Sequence, residues 1–197
     1  MKKKPILKLT SPIPISVNHY MQARVVYVKG KPMAMLYETA KAKSYKKQYA
    51  KYVVEEAIKQ NWNMIPNHTQ HYYVGCKFYF DRKRKDPNNY FKLLLDAITE
   101  AKIIWLDDDV VCERVEGIWY DYDNPRIEIE IYPVDYVGIF PSQAHLDEFK
   151  KRCLLCRWYK KGRCSVLVDA IDGVIKQEIQ NNKCMKYKEL KCQKKSK

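Results

Sequence analysis

The chain has 197 residues, is 46% apolar and carries a formal net charge of +14. That length fits one full domain plus an appendage, and the apolar fraction is enough for a packed core, which sets aside a disordered chain. The charge points to a polyanionic partner, nucleic acid first, and no apolar run approaches the roughly 18 residues of a membrane span. Met1 and three lysines begin like a signal peptide, but no sufficient apolar stretch follows, so a cytoplasmic location is expected.

In chain order, Ile6-Leu7-Lys8-Leu9 alternates as a strand, and Pro12 and Pro14 then bend the chain. Residues 21–37 interleave Arg24, Tyr27, Lys29, Lys31 and Tyr37 as a basic, aromatic loop or hairpin. Residues 39–60 read as a helix, with Tyr45, Tyr49, Tyr52, Val53 and Ala57 at helical spacing and lysines on the other faces. A loop containing Pro66 follows. Residues 71–80 then alternate, placing Tyr72, Val74, Cys76, Phe78 and Phe80 on one side of a strand. That strand runs into Arg82-Lys83-Arg84-Lys85, a basic run suited to a phosphodiester substrate.

Residues 86–109 carry the strongest chemical signal. Asp86 has the character of an N-cap, with Pro87 at the first helical position. Phe91, Leu94, Leu95, Ile98 and Ala101 form an inward face, and Asn88, Lys92 and Asp96 form a polar stripe at i, i+4 and i+8. After Lys102 an apolar run, residues 103–106, leads directly into Asp107-Asp108-Asp109. Three adjacent carboxylates repel one another unless water or a cation sits among them. Hard oxygen donors of this kind suit Mg²⁺ or Mn²⁺.

Two more strands are expected, over residues 110–119 and 126–132, joined as a hairpin by a turn-rich link. The sum is an α+β domain with a mixed sheet and two main helices. We place it over residues 1–135, followed by a small, helical, cysteine-rich and basic appendage over 136–197.

The appendage contains a linker over 133–141, a short helix over 142–152 and a second helical stretch over 166–180. Five of the seven cysteines fall there: Cys153, Cys156, Cys164, Cys184 and Cys192. In a reducing compartment disulfides are disfavoured, and a Cys-x-x-Cys pair grips a metal. Cys153, Cys156, Cys164 and Cys184 are expected to hold structural Zn²⁺, with Cys192 as a substitute ligand; an iron–sulfur cluster and unligated thiols are the alternatives. Residues 136–197 hold fifteen Lys and Arg against six Asp and Glu, and 183–197 read as a solvated arm for phosphate contact.

The residues from 82 to 108 resemble the RusA-type Holliday junction resolvases. That family has a basic run, here residues 82–85, then Asp-x-Asp-Asn-x-x-Lys, matched by Asp86, Asn88, Asn89 and Lys92. An Asp-Ala-Leu-like segment follows, Asp96-Ala97-Ile98, and then a Trp-x-Asp-Asp-like turn, Trp105, Asp107 and Asp108. The departure is Asn88, an amide where the family has its second carboxylate. The resemblance spans about residues 6–132 and implies a small homodimeric, Mg²⁺-dependent endonuclease of phage or prophage type, acting on branched DNA in recombination and repair. It implies Asp86 and Asp108 as main metal ligands, Asp107 and Asn88 in support, Lys92 facing the scissile phosphate, and Arg82, Lys83, Arg84 and Lys85 contacting DNA. A second reading is a zinc-stapled junction-binding protein in which Asn88 has cost the activity.

Overall fold

The computed structural model describes residues 4–190; Cys192 and the tail beyond residue 190 lie outside the described residues. The chain divides into two compact units, Met1–Pro133 and Val134–Lys197.

The first unit is built from β1 (Leu7–Pro12), α1 (Val17–Tyr20), β2 (Met21–Val28), β3 (Lys31–Glu38), α2 (Ala40–Lys59), β4 (Tyr72–Phe80), α3 (Asn88–Glu100), β5 (Val111–Tyr120) and β6 (Arg126–Pro133). Four of these strands form one sheet in the order β1-β6-β4-β5. The α+β class and mixed sheet read from the sequence are what the structure shows. The hairpin expected over 110–132 is not. β4 lies between β5 and β6, parallel to the first and antiparallel to the second. The physical reason is burial. Tyr72, Val74, Cys76, Phe78 and Phe80 are all fully buried, so β4 takes the centre, and α3 makes the long crossover that a parallel pair needs. β5, exposed along most of its length, is left at the edge.

The core packs sheet residues Leu7, Leu9, Phe78 and Ile129 against Tyr49, Val53 and Ala57 of α2 and Leu94 and Ile98 of α3. At the other edge, β1 turns outward backbone groups that no strand pairs. α2 supplies the partners. Gln60 Oε1 accepts from Lys8 N–H at 2.9 Å, Gln60 Nε2 donates to Lys8 O at 2.7 Å, and Tyr52 OH accepts from Thr10 N–H at 3.0 Å. An edge covered this way is closed to further strands.

β2 and β3 form a separate hairpin whose turn residues, Lys29 and Gly30, have φ of 51° and 76°. Positive φ at both positions matches the twist of the flanking strands.

The second unit contains α4 (Gln143–Cys153), α5 (Ser165–Ile171), β7 (Ile179–Gln180) and β8 (Lys183–Cys184). The helix expected over 166–180 stops at Ile171. Gly173 adopts φ +84°, and Val174 N–H returns to Asp169 O at 2.8 Å, a left-handed termination that glycine accepts without penalty. The chain then reverses through Asn181 and Asn182, both at positive φ, into the short β7–β8 hairpin. Its core is Phe140, Leu146, Phe149, Cys153, Leu167 and Ala170.

Gln60→Ala should cost about 1–2 kcal/mol, since two backbone groups of Lys8 lose their protein partner. A shift in the urea midpoint at unchanged slope checks this; no shift would mean that water serves the β1 edge equally well.

Candidate active site

α3 begins as its sequence dictates. Asp86 Oδ1 accepts from Asn88 N–H at 3.0 Å, and Asp86 O accepts from Asn89 N–H at 3.1 Å. Pro87 sits at φ −52°, already helical. This start sets the phase of the helix. Phe91, Leu94, Leu95 and Ile98 go inward, while Asn88 and Lys92 remain exposed and Asp96 half-buried.

At the far end the helix gives way at Lys102, in the left-handed region at φ +52°. The chain then doubles back. Trp105 is fully buried; its Nε1 donates to Thr99 Oγ1 at 2.7 Å and its ring lies 5.8 Å from that of Tyr72. Lys102 Nζ donates to Leu106 O. These contacts pin the return, and a single 3₁₀ turn, Asp108–Val110, delivers the acidic triplet beside α3. Asp107 and Asp109 are exposed, Asp108 is half-buried and Val110 is buried.

Lys92 joins helix and turn. Its Nζ lies 2.7 Å from Asp96 Oδ1 and 3.7 Å from Asp108 Oδ2. The ammonium is held above its ordinary pKa by the Asp96 hydrogen bond first, so it stays charged at neutral pH and serves as a fixed positive charge rather than a base. Asp108 is pushed up, by desolvation first; Lys92 opposes this, and Asp107 and Asp96 add to it. This is the state of a carboxylate whose charge is incompletely offset, and a divalent cation among these oxygens would offset it.

The network extends beyond Lys92. Tyr20 OH lies 2.5 Å from Asp96 Oδ2 and 2.9 Å from Glu38 Oε1, and Lys46 Nζ donates to Glu38 Oε1 at 2.6 Å. A phenol has one proton to donate, so Tyr20 serves one carboxylate at a time. Burial first, and these two acceptors next, push its pKa well up. Tyr20, Glu38 and Lys46 carried no signal in the sequence, because Tyr20 reaches Asp96 from another element and Glu38 and Lys46 join it from two more. Asp96 was signalled by its place four residues after Lys92.

Other expected residues are placed as follows. Asp86 and Asn88 meet through the helix cap. Arg82, Lys83 and Arg84 are exposed. Lys85 folds back onto Asp81 at 2.5 Å and over the Phe80 ring, so it braces the loop. Among the described residues, no group of three or more His, Cys, Asp or Glu converges on a single metal position. Neither Asp86, Asp107 and Asp108 nor Cys153, Cys156, Cys164 and Cys184 form such a group. All four cysteines line one cavity of about 430 Å³.

The family model for Endodeoxyribonuclease RusA matches residues 12–132. The chain therefore belongs to the RusA endodeoxyribonuclease family, as its residues 82–108 foretold, and the family is one of nucleases. No curated protein matches the chain.

Glu38 is held below the ordinary carboxylate range, by Lys46 first. The stabilisation is therefore present above that range and is lost as pH falls through the lowered value. Lys46→Met should destabilise the protein by about 1–3 kcal/mol at neutral pH, leaving a half-buried carboxylate short of a donor. It should also make the loss of thermal stability on acidification shallower than in the parent. Parallel melting curves across pH would speak against the pairing.

Proposed function

We propose that this protein is a divalent-metal-dependent endonuclease that resolves Holliday junctions, working on recombination and repair intermediates in a bacterial or phage-infected cytoplasm. The observation that carries the reading is the Lys92 ammonium held between Asp96 and Asp108 inside a RusA-family domain. No helix among the described residues is long and apolar enough to cross a membrane.

Asp86, Asn88, Asp107 and Asp108 would hold Mg²⁺ or Mn²⁺. The cation supplies Lewis acidity at the phosphate and an activated water. Asp108, half-buried and short of positive charge, is the donor most in need of it. Lys92 places a fixed charge where a phosphate oxygen or the leaving oxygen gains negative charge. Asp96 keeps Lys92 aimed, and Tyr20 keeps Asp96 aimed; both are positioning residues. Arg82, Lys83 and Arg84 bind phosphates along the substrate. A homodimer would present two such sites about a two-fold axis, matching the paired cuts that a four-way junction requires.

Asn88 favours one other reading, a junction-binding protein without cleavage, because an amide brings oxygen but no charge. A labelled four-way junction incubated with Mg²⁺ or Mn²⁺ separates the two: binding without cleavage under any metal condition sinks the nuclease reading. In the active enzyme, Asp86→Asn and Asp108→Asn should each abolish cleavage and leave junction affinity within about threefold, since the basic surface is untouched. Asn88→Asp should lower the Mg²⁺ concentration needed for half-maximal rate, and an unchanged requirement would mean that the site is built for the amide.

A further inference from the structure

The β2–β3 hairpin grows directly out of the candidate site. β2 begins at Met21, the residue after Tyr20, and β3 ends at Glu38. Tyr20 OH donates toward Glu38 Oε1 at 2.9 Å, and Thr39 N–H donates to Tyr20 O at 3.1 Å, which closes the root of the hairpin. From there each strand runs for eight residues, about 25 Å at roughly 3.3 Å per residue. Apart from Val26, Tyr37 and Glu38, every residue of both strands is exposed. A two-stranded ribbon is marginal in water by itself, and one exposed on both faces has packing left to make.

The pairing of Arg24 with Met35 and of Tyr27 with Pro32 sorts the side chains between the two faces. One face carries Val25, Tyr27 and Leu36, which are 64%, 75% and 68% exposed, and no charge beyond Glu38 at the root. The other carries Arg24 and Lys31, and Lys29 stands in the turn. No Asp or Glu occurs between Met21 and Tyr37. Arg24 lies over the Tyr37 ring at 5.4 Å. Among the described residues, Arg24, Lys29 and Lys31 make no ion pair, whereas Lys46, Lys51 and Lys59 of α2 each have a carboxylate partner.

We propose that this hairpin is a DNA-binding arm, in which Arg24, Lys29 and Lys31 contact phosphates and Tyr27 stacks on a base that the branch point leaves unstacked. Charge decides the class of partner, since three unpaired cations with no carboxylate among them suit a polyanion. Apolar and aromatic side chains set beside such cations are how proteins stack on bases or part a base step. A second copy of this chain is the other occupant, and size argues against it. The apolar face, about 25 Å by 10 Å, offers roughly 250 Å², against about 800 Å² per partner in a stable interface. Because Tyr20 at the root touches Asp96, and Asp96 touches Lys92, DNA held along the arm lies within about 25 Å of the lysine. The proposal rests on the junction-nuclease reading for its substrate.

The test measures binding of the full-length chain to a labelled four-way junction and to a linear duplex, without divalent metal, across a range of salt concentrations. Lys29→Asn with Lys31→Gln removes two charges, and asparagine accepts the positive φ at residue 29. This pair should weaken binding to both DNAs and flatten the slope of log Kd against log salt by about 1.8. Tyr27→Ala should weaken junction binding about tenfold or more, and duplex binding less, while Tyr27→Phe keeps the parent affinity. All these side chains are exposed, so melting curves should match the parent. Parent-like affinity and salt slope in both the charge pair and Tyr27→Ala overturn the proposal. So does a Tyr27→Ala variant whose loss is one of self-association, read by sedimentation, at unchanged DNA affinity, which would assign the face to a second copy. Cleavage by the parent separates the two readings. A parent that cuts junctions while its hairpin variants bind normally sinks the arm alone. A parent that binds without cutting, and is weakened by the variants, sinks the nuclease alone.

Discussion

The Lys92 ammonium holds the first unit's chemistry in place. It ties a helix to the turn that follows it, and it does so against electrostatic resistance, because Asp107 and Asp108 stand side by side and Asp96 is close. Remove the positive charge and three carboxylates share a corner that burial already makes unfavourable for Asp108. The position of Lys92 depends in turn on the cap at Asp86, which sets the rotation of α3, and on Trp105, whose burial forces the return segment back along the helix.

The sheet gives this corner its rigidity. One face of β4 is buried along its whole length, and the strand carries the chain directly to the basic loop and the helix start. A catalytic group on such a support is placed by packing rather than by loop geometry, and packing tolerates little displacement. Tyr20 of α1 adds a second contact to Asp96 of α3, and is itself hydrogen-bonded to Glu38 of β3, which Lys46 of α2 holds.

Features set by neighbours in sequence were legible without the structure. The cap at Asp86, the Asn88–Lys92–Asp96 stripe, the alternation of β4 and the Cys-x-x-Cys spacing all arise within a few residues. Features set by distant pairing were not. Residues 110–132 alternate like a hairpin, and nothing local tells β5 and β6 that β4 will come between them. Tyr20 lies 76 residues from Asp96, so its part in the site has no local trace. Within the basic run, the pairing of Lys85 with Asp81 on its own loop left no mark in the spacing. Ligand spacing marked the four cysteines, and they line one cavity of the second unit.

The covering of β1 by Gln60 and Tyr52 has a consequence for how this protein behaves in a crowded solution. A sheet with two bare edges is a template for fibrils and for swapped strands. Here one edge is sealed by side chains. The other, β5, slips register between its pairings with Cys76 and Lys77, and the Trp119 ring lies so close over Gly117 that a β-carbon there would fall 2.1 Å from it. An irregular edge makes a poor ladder for an incoming strand. The four-stranded sheet can thus carry a long, largely apolar central strand while its own two edges are one covered and one irregular.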